Sequence, residues 1–256
     1  MKRAIEVVGH GGAGDFYPGN SRRAIEQALE LGVDRIEIDV QQSADHELVL
    51  VHDDKIHLQG HRLADVGGLS TAALRAHLPG LLTLDEAVAL IAGRAPLMLD
   101  VKRRRDEDLL IQAIRRHALA TGSSVSSTNG LLLFRLRRAF PEMRLGLSTG
   151  HWSSGAPTRI GRVVTTAVLR AIAPYPMVAT VKACGATEVM LFHRVCTRYV
   201  VDTLHRHNVR INAWTVDRPS SIRRVACLGV DGIITNRPDL AWETLASGGI
   251  ARRTTD

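Results

Sequence analysis

Residues 35–54, RIEIDVQQSADHELVLVHDD, constrain this chain more than any other stretch. Ile36, Ile38 and Val40 alternate with Glu37 and Asp39, the period-two pattern of a strand. Glu37 and Asp39 therefore share a face, opposite the branched apolar residues. Neighbouring like charges repel, and neither is cheap to bury. The pair reads in two ways. One is an exposed edge strand with an acidic outer face. The other is a site for a single divalent cation, Mg²⁺ or Ca²⁺, whose preferred ligands are carboxylate oxygens. Only seven residues, Gln41 to Glu47, separate Val40 from the next apolar run, LVLVHD. A parallel return needs a dozen or more, so the spacing predicts an antiparallel hairpin turning near residues 43–45. That hairpin carries His52 and Asp53 back to the level of the carboxylates, where a histidine can act as acid or base near neutral pH.

The rest of the chain alternates strand and helix patterns. Residues 4–8 read as a buried strand ending at Gly9-His10-Gly11-Gly12, where small residues leave room for a ligand to approach the backbone. Asn20 or Ser21 caps a helix with Ala24, Ile25, Ala28 and Leu29 on its apolar face. Residues 55–82 read as loop with one short helix, and His57 and His61 there as surface residues. Thr83-Leu84-Asp85-Glu86 is a capping box. Residues 96–101 form a strand that places Asp100 and Lys102 on one face and Leu99 and Val101 on the other. Further strands are expected at 124–128, 143–148, 187–192, 210–216 and 231–235, with helices between them. Residues 149–186 read as a long insertion with a helix. With the returning hairpin strand set aside, eight strands remain. The pattern predicts one (β/α)₈ barrel, a single α/β domain over 1–256 with a hairpin extension after its second strand. A doubly wound open sheet is the alternative. The barrel is favoured because His10, Glu37, Asp39, Asp100, Lys102 and Trp214 all fall toward strand C-terminal ends, the catalytic face of such barrels.

Composition narrows the function. Cys184, Cys196 and Cys227 are odd in number and form no C-x-x-C, which predicts reduced thiols and a cytoplasmic protein. The short apolar run at the start does not read as a signal peptide. The net charge of +7 favours anionic partners, and no aromatic residues interleave with the basic runs to stack nucleic-acid bases. Neither G-x-S-x-G nor a Walker loop is present. Two histidines, three carboxylates and a lysine suit phosphodiester cleavage. A cation and Lys102 would hold phosphate oxygens while the histidines divide the proton transfers.

The chain resembles the glycerophosphodiester phosphodiesterases over nearly its whole length. The matching pieces, in order, are GHGG at His10, PGNS at Pro18, IEIDV at Ile36, LVLVHDD at Leu48, LTLDEAVAL at Leu82, LMLDVK at Leu97, NAWTVD at Asn212 and GVDGIITNRPDL at Gly229. The resemblance implies a TIM barrel, a divalent cation on Glu37 and Asp39 with Asp100 as third ligand, and His10 and His52 as acid and base. It also implies attack by a glycerol hydroxyl through a cyclic phosphate, releasing sn-glycerol 3-phosphate and an alcohol. Lys102, Trp214 and Gly11 are the expected substrate contacts.

Three positions depart from the family pattern. Gly11 stands where arginine is usual, Gly19 where glutamate is usual, and Asp100 where the third acid is usually glutamate. The Asp100–Lys102 spacing resembles the related sphingomyelinase D and phospholipase D toxins, although HDD after the hairpin is the diesterase version. The two glycines predict a wider, less polar mouth near His10. The alternatives are therefore a phospholipase-D-like enzyme on lysophospholipid or sphingomyelin headgroups, with the insertion touching a membrane peripherally, and a catalytically weak barrel that only binds phosphodiesters.

Overall fold

The computed structural model describes residues 4–58, 62–102, 107–149 and 174–250. Eight parallel strands among them close on themselves: β1 (Glu6–Gly9), β2 (Arg35–Gln42), β6 (Leu97–Val101), β7 (Ser124–Ser127), β8 (Arg144–Ser148), β9 (Glu188–Phe192), β10 (Arg210–Trp214) and β11 (Gly232–Thr235). Each pairs with its neighbour in that order, and β1 pairs with both β2 and β11. This is the (β/α)₈ barrel, and its closure excludes the open sheet.

The helices form where local signals agree. The side chain of Ser21 caps α1 (Arg22–Glu30), whose Ala24, Ile25 and Ala28 are buried. Thr83 and Glu86 complete the expected capping box of α3 (Leu84–Ile91). In α4 (Glu107–Arg116), Leu110, Ala113 and Ile114 face the core. Asn129 accepts two backbone N–H groups at the start of α5 (Gly130–Ala139). Gly229, at φ +85, ends the penultimate helix in the left-handed conformation that glycine tolerates. No helix among the described residues is long and apolar enough to cross a membrane.

The hairpin after β2 is present: Val40 opposes Leu50 and Gln42 opposes Leu48 of β3 (Leu48–Leu50), antiparallel. Its tip is pinned. Asp45 accepts from Ser43 Oγ at 2.6 Å and from both the N–H and the hydroxyl of Thr71, which opens α2 (Thr71–His77). These donors hold the Asp45 carboxyl down to about 2. Residues 55–82 contain more structure than their sequence suggests. Lys55–His57 (β4) and Leu63–Asp65 (β5) form a second antiparallel ribbon before α2. Each strand has only three residues, too few for a periodic signal, and His57 lies in the first. His61 and most of the 149–186 insertion lie outside the described residues, apart from the helix Pro174–Cys184 (α6).

Inside the barrel the side chains lie in layers. The lower layer is ionic. Arg35, 1% exposed, donates to Glu6 Oε1 and Ser124 Oγ, both at 2.8 Å. Arg144 bridges Glu6 at 3.2 Å and Glu188 at 2.8 Å. The middle layer is apolar: Val8, Met98, Met190 and Ile234, with Trp214 packed on it. Gly146 makes room there, since a Cβ on it would collide with Met190 Cε. The upper layer is acidic and carries the site. Replacing one partner of a buried ion cluster strands the others. Arg35→Met should therefore destabilise the protein by about 3 kcal/mol or more in urea unfolding, whereas Arg22→Met, on an exposed pair, should change stability little.

Candidate active site

Register brings the acids together. Asp39 on β2 stands directly opposite Asp100 on β6, and Glu37 lies on the same face two residues earlier. Ligand oxygens of Glu37, Asp39 and Asp100 lie within 4.8 Å of one another. The first two side chains are almost fully buried. Lys102 places its Nζ 2.7 Å from Asp39 Oδ1 and 2.6 Å from Asp100 Oδ2. Burial, with Asp39 and Asp100 nearby, pushes the Glu37 carboxyl well above the usual carboxylate range, despite Lys102 and an N–H from Gly11. Burial also works against ionised Asp39, but Lys102 and the Asn20 amide outweigh it and hold that carboxyl low. Lys102 is desolvated too, yet Asp100, Asp39 and Glu37 raise its pKa and keep it charged.

The donor set fits a hard divalent cation. It comprises three carboxylates whose oxygens converge within 4.8 Å, with Asp39 Oδ1 buried against the Lys102 ammonium. Asn20 fixes Asp39 by a reciprocal pair: its Nδ2 donates to Oδ2 at 2.7 Å, and its Oδ1 accepts the Asp39 N–H at 2.9 Å. Asn20 does this from the left-handed region, at φ 65, which asparagine tolerates better than most residues.

His10 and His52 both reach this pocket, a cavity of about 390 Å³ also lined by Glu37, Asp100, Lys102, Ser126 and Trp214. His10 follows β1, and its Nδ1 lies 2.8 Å from Asn236 Oδ1. The Asn236 amide is itself oriented, because its Nδ2 donates to Asp217 Oδ2 at 3.0 Å and its N–H to Oδ1 at 2.8 Å. A carboxylate only accepts, so the amide oxygen must face His10. Nδ1 of His10 then carries a proton, and in the neutral ring Nε2 is the basic nitrogen. His52 follows β3. Gln41 steadies that segment by donating to the carbonyls of Val51 and Asp53. His52 Nδ1 lies 2.8 Å from Asp53 Oδ1, so Nε2 is again the nitrogen that can exchange a proton.

Trp214 is set by its neighbours. Its ring tilts against Phe192 at 5.6 Å, and its carbonyl accepts from the His193 N–H at 2.8 Å. Burial, then Arg224 and Arg194, push the His193 imidazole down from an ordinary 6.5 to about 4. Gly11 is placed differently from its expected role. It lies outside the residues that line the pocket, and its N–H donates to Glu37 Oε2 at 2.8 Å. Its φ is +55, and a Cβ there would sit 3.0 Å from Gly19 Cα. The missing side chain at Gly11 lets the adjoining loops pack against one another there. Asn20, Asn236, Asp217, Ser126 and Ser148 join the site without being legible as site residues in the sequence. Asn236 and Asp217 lie within the ITN and WTVD segments, where the motif itself is the available signal.

Comparison with known proteins gives one answer. The model of the glycerophosphoryl diester phosphodiesterase family matches residues 10–121 and 151–240. A glycerophosphodiester phosphodiesterase of Caldanaerobacter subterraneus subsp. tengcongensis is 26% identical, over 95% of this chain and 98% of its own. A putative glycerophosphoryl diester phosphodiesterase of Silicibacter pomeroyi has the same fold, with a TM-score of 0.80 at 20% identity over 98% of this chain and 96% of its own. So does an Oleispira antarctica phosphodiesterase solved with the product sn-glycerol-3-phosphate, with a TM-score of 0.72 at 17% identity over 95% of this chain and 97% of its own.

Two outcomes follow from this geometry. Asn236→Leu keeps the volume and removes the acceptor for His10, so steady-state kinetics should show kcat lowered about tenfold or more with KM little changed. His193 stays neutral in the fold but gains a proton when unfolded below 6.5. Its contribution to stability is complete above that pH and is lost as pH falls from 6.5 toward about 4. His193→Gln should lose less stability than the wild type between pH 7 and pH 5, as read by urea unfolding.

Proposed function

The chain belongs to the glycerophosphoryl diester phosphodiesterase family and is a phosphoric diester hydrolase, and from that premise we propose that it cleaves small soluble glycerophosphodiesters to sn-glycerol 3-phosphate and an alcohol. What supports this reading is one observation: His10, His52, Glu37, Asp100 and Lys102 line the same pocket at the C-terminal end of the barrel, and the Asp39 carboxylate converges with those of Glu37 and Asp100. Glu37, Asp39 and Asp100 would hold one divalent cation, Mg²⁺ or Ca²⁺, which would supply Lewis-acid charge to a phosphoryl oxygen. Lys102 offers the same phosphate a point charge. Trp214 forms an apolar wall beside it.

His10 takes the proton of the glycerol hydroxyl next to the phosphate. That oxygen bonds to phosphorus while the bond to the head alcohol breaks, and His52 gives its Nε2 proton to the departing oxygen. His52 suits this step because its side chain is 52% exposed, on the side where an alcohol can leave. The first product is a cyclic phosphate. In the second half the roles reverse. His52 takes a proton from water as the water oxygen bonds to phosphorus. The ring P–O bond opens, and His10 returns its proton to the glycerol oxygen.

His10→Ala and His52→Ala should each lower kcat by roughly 10²-fold or more on glycerophosphocholine, and exhaustive chelation should abolish turnover until cation is restored. Near wild-type turnover in either variant, or full activity after chelation, contradicts the mechanism. The same assay run on a lysophospholipid separates the soluble-diester reading from the phospholipase-D-like one: kcat/KM should favour glycerophosphocholine.

A further inference from the structure

Asp39, Asp100 and Ser126 form one register row across β2, β6 and β7. Ser148 lies on β8, two residues beyond the partner of Ser126. The Asp100 carboxylate is divided along this row. Oδ2 faces the cluster, 2.6 Å from Lys102 Nζ. Oδ1 turns the other way and accepts from Ser126 Oγ at 2.6 Å and Ser148 Oγ at 3.1 Å. Ser126 is 1% exposed, so its hydroxyl has little water to turn to instead. The terminal torsion of an aspartate is broad and roughly two-fold. Nothing in Asp100 itself decides which oxygen faces the cluster, or at what angle. Two hydroxyls on one oxygen do decide it.

We infer that Ser126 and Ser148 are positioning residues that allow the short Asp100 side chain to serve as the third cation ligand. They hold Oδ1 back toward β7 and β8 and leave Oδ2 alone to meet the ion. Glutamate carries its carboxylate one methylene farther from the strand and reaches the cluster without this lateral support. The serines and the aspartate thus act as one arrangement. Hydrogen bonds to ligating carboxylates are worth about 10–100-fold in metal affinity elsewhere. The inference rests on the cation reading above.

The test is isothermal titration of the full-length protein with Mg²⁺ and, separately, Ca²⁺. The chains compared are wild type, Ser126→Ala/Ser148→Ala, and that double variant with Asp100→Glu added. Cooperative thermal unfolding of each shows that it is folded. The double variant should bind the ion about tenfold or more weakly, and Asp100→Glu should restore most of the loss. Equal affinity in wild type and double variant overturns the inference and leaves the cation reading standing. A rise in KM for glycerophosphocholine with ion affinity unchanged overturns it as well, since the serines would then be serving substrate. A loss of affinity that Asp100→Glu does not repair overturns it too, because the serines would not be acting through Asp100. No binding of either ion by the wild type refutes the cation reading itself, and the inference with it.

Discussion

Mutual repulsion among Glu37, Asp39 and Asp100 is the constraint around which the upper half of this barrel is arranged. Three carboxylates within 4.8 Å, two of them almost wholly buried, cannot all ionise without nearby positive charge. Lys102 supplies one charge, and its ammonium sits between Asp39 and Asp100. One charge among three leaves an excess, and burial, reinforced by Asp39 and Asp100, makes the Glu37 carboxyl hold its proton far more tightly than usual. The surrounding polar groups divide the remaining work: the Asn20 amide fixes Asp39, the Gly11 N–H meets Glu37, and two serine hydroxyls meet Asp100. A buried arrangement this repulsive is stable only within a scaffold that imposes it, and the register of β2 on β6 does so.

The lower half solves the converse problem. Glu6 and Glu188 are buried as deeply as the acids above, but Arg35 and Arg144 reach them. That layer is compensated within the chain. An apolar plate of Val8, Met98, Met190 and Ile234 lies between the two charged layers. One barrel interior thus holds an ionic floor closed by its own arginines and an acidic mouth whose charge is balanced only in part. The closed floor supports structure, and the mouth remains available for chemistry.

Much of this is legible in the sequence, for reasons that can be named. The alternation of Glu37 and Asp39 with branched residues puts both acids on one face, and the short spacing to LVLVHD forces an antiparallel return that brings His52 to the mouth. Capping by Ser21, Thr83 and Asn129 marks helix starts, and the ordered motifs carry the family resemblance. The β4–β5 ribbon is not legible, because three-residue strands lack a period. Asn20 looks like a cap because asparagine is common there, yet its amide serves Asp39. Ser126 gives no signal, because a serine facing the barrel interior reads like any polar strand residue until register places it beside Asp100. The effect of Gly11 is hidden for a related reason. Counting the side chain that glycine lacks overlooks the loop that packs against it.

The most direct test of this account is anomalous diffraction from a crystal of the wild-type protein soaked in Mn²⁺, an ion that oxygen ligands also hold. One strong peak enclosed by Glu37, Asp39 and Asp100 is expected, with the Lys102 ammonium displaced from between Asp39 and Asp100. No peak at that position, with Lys102 still bridging the two aspartates, would contradict it.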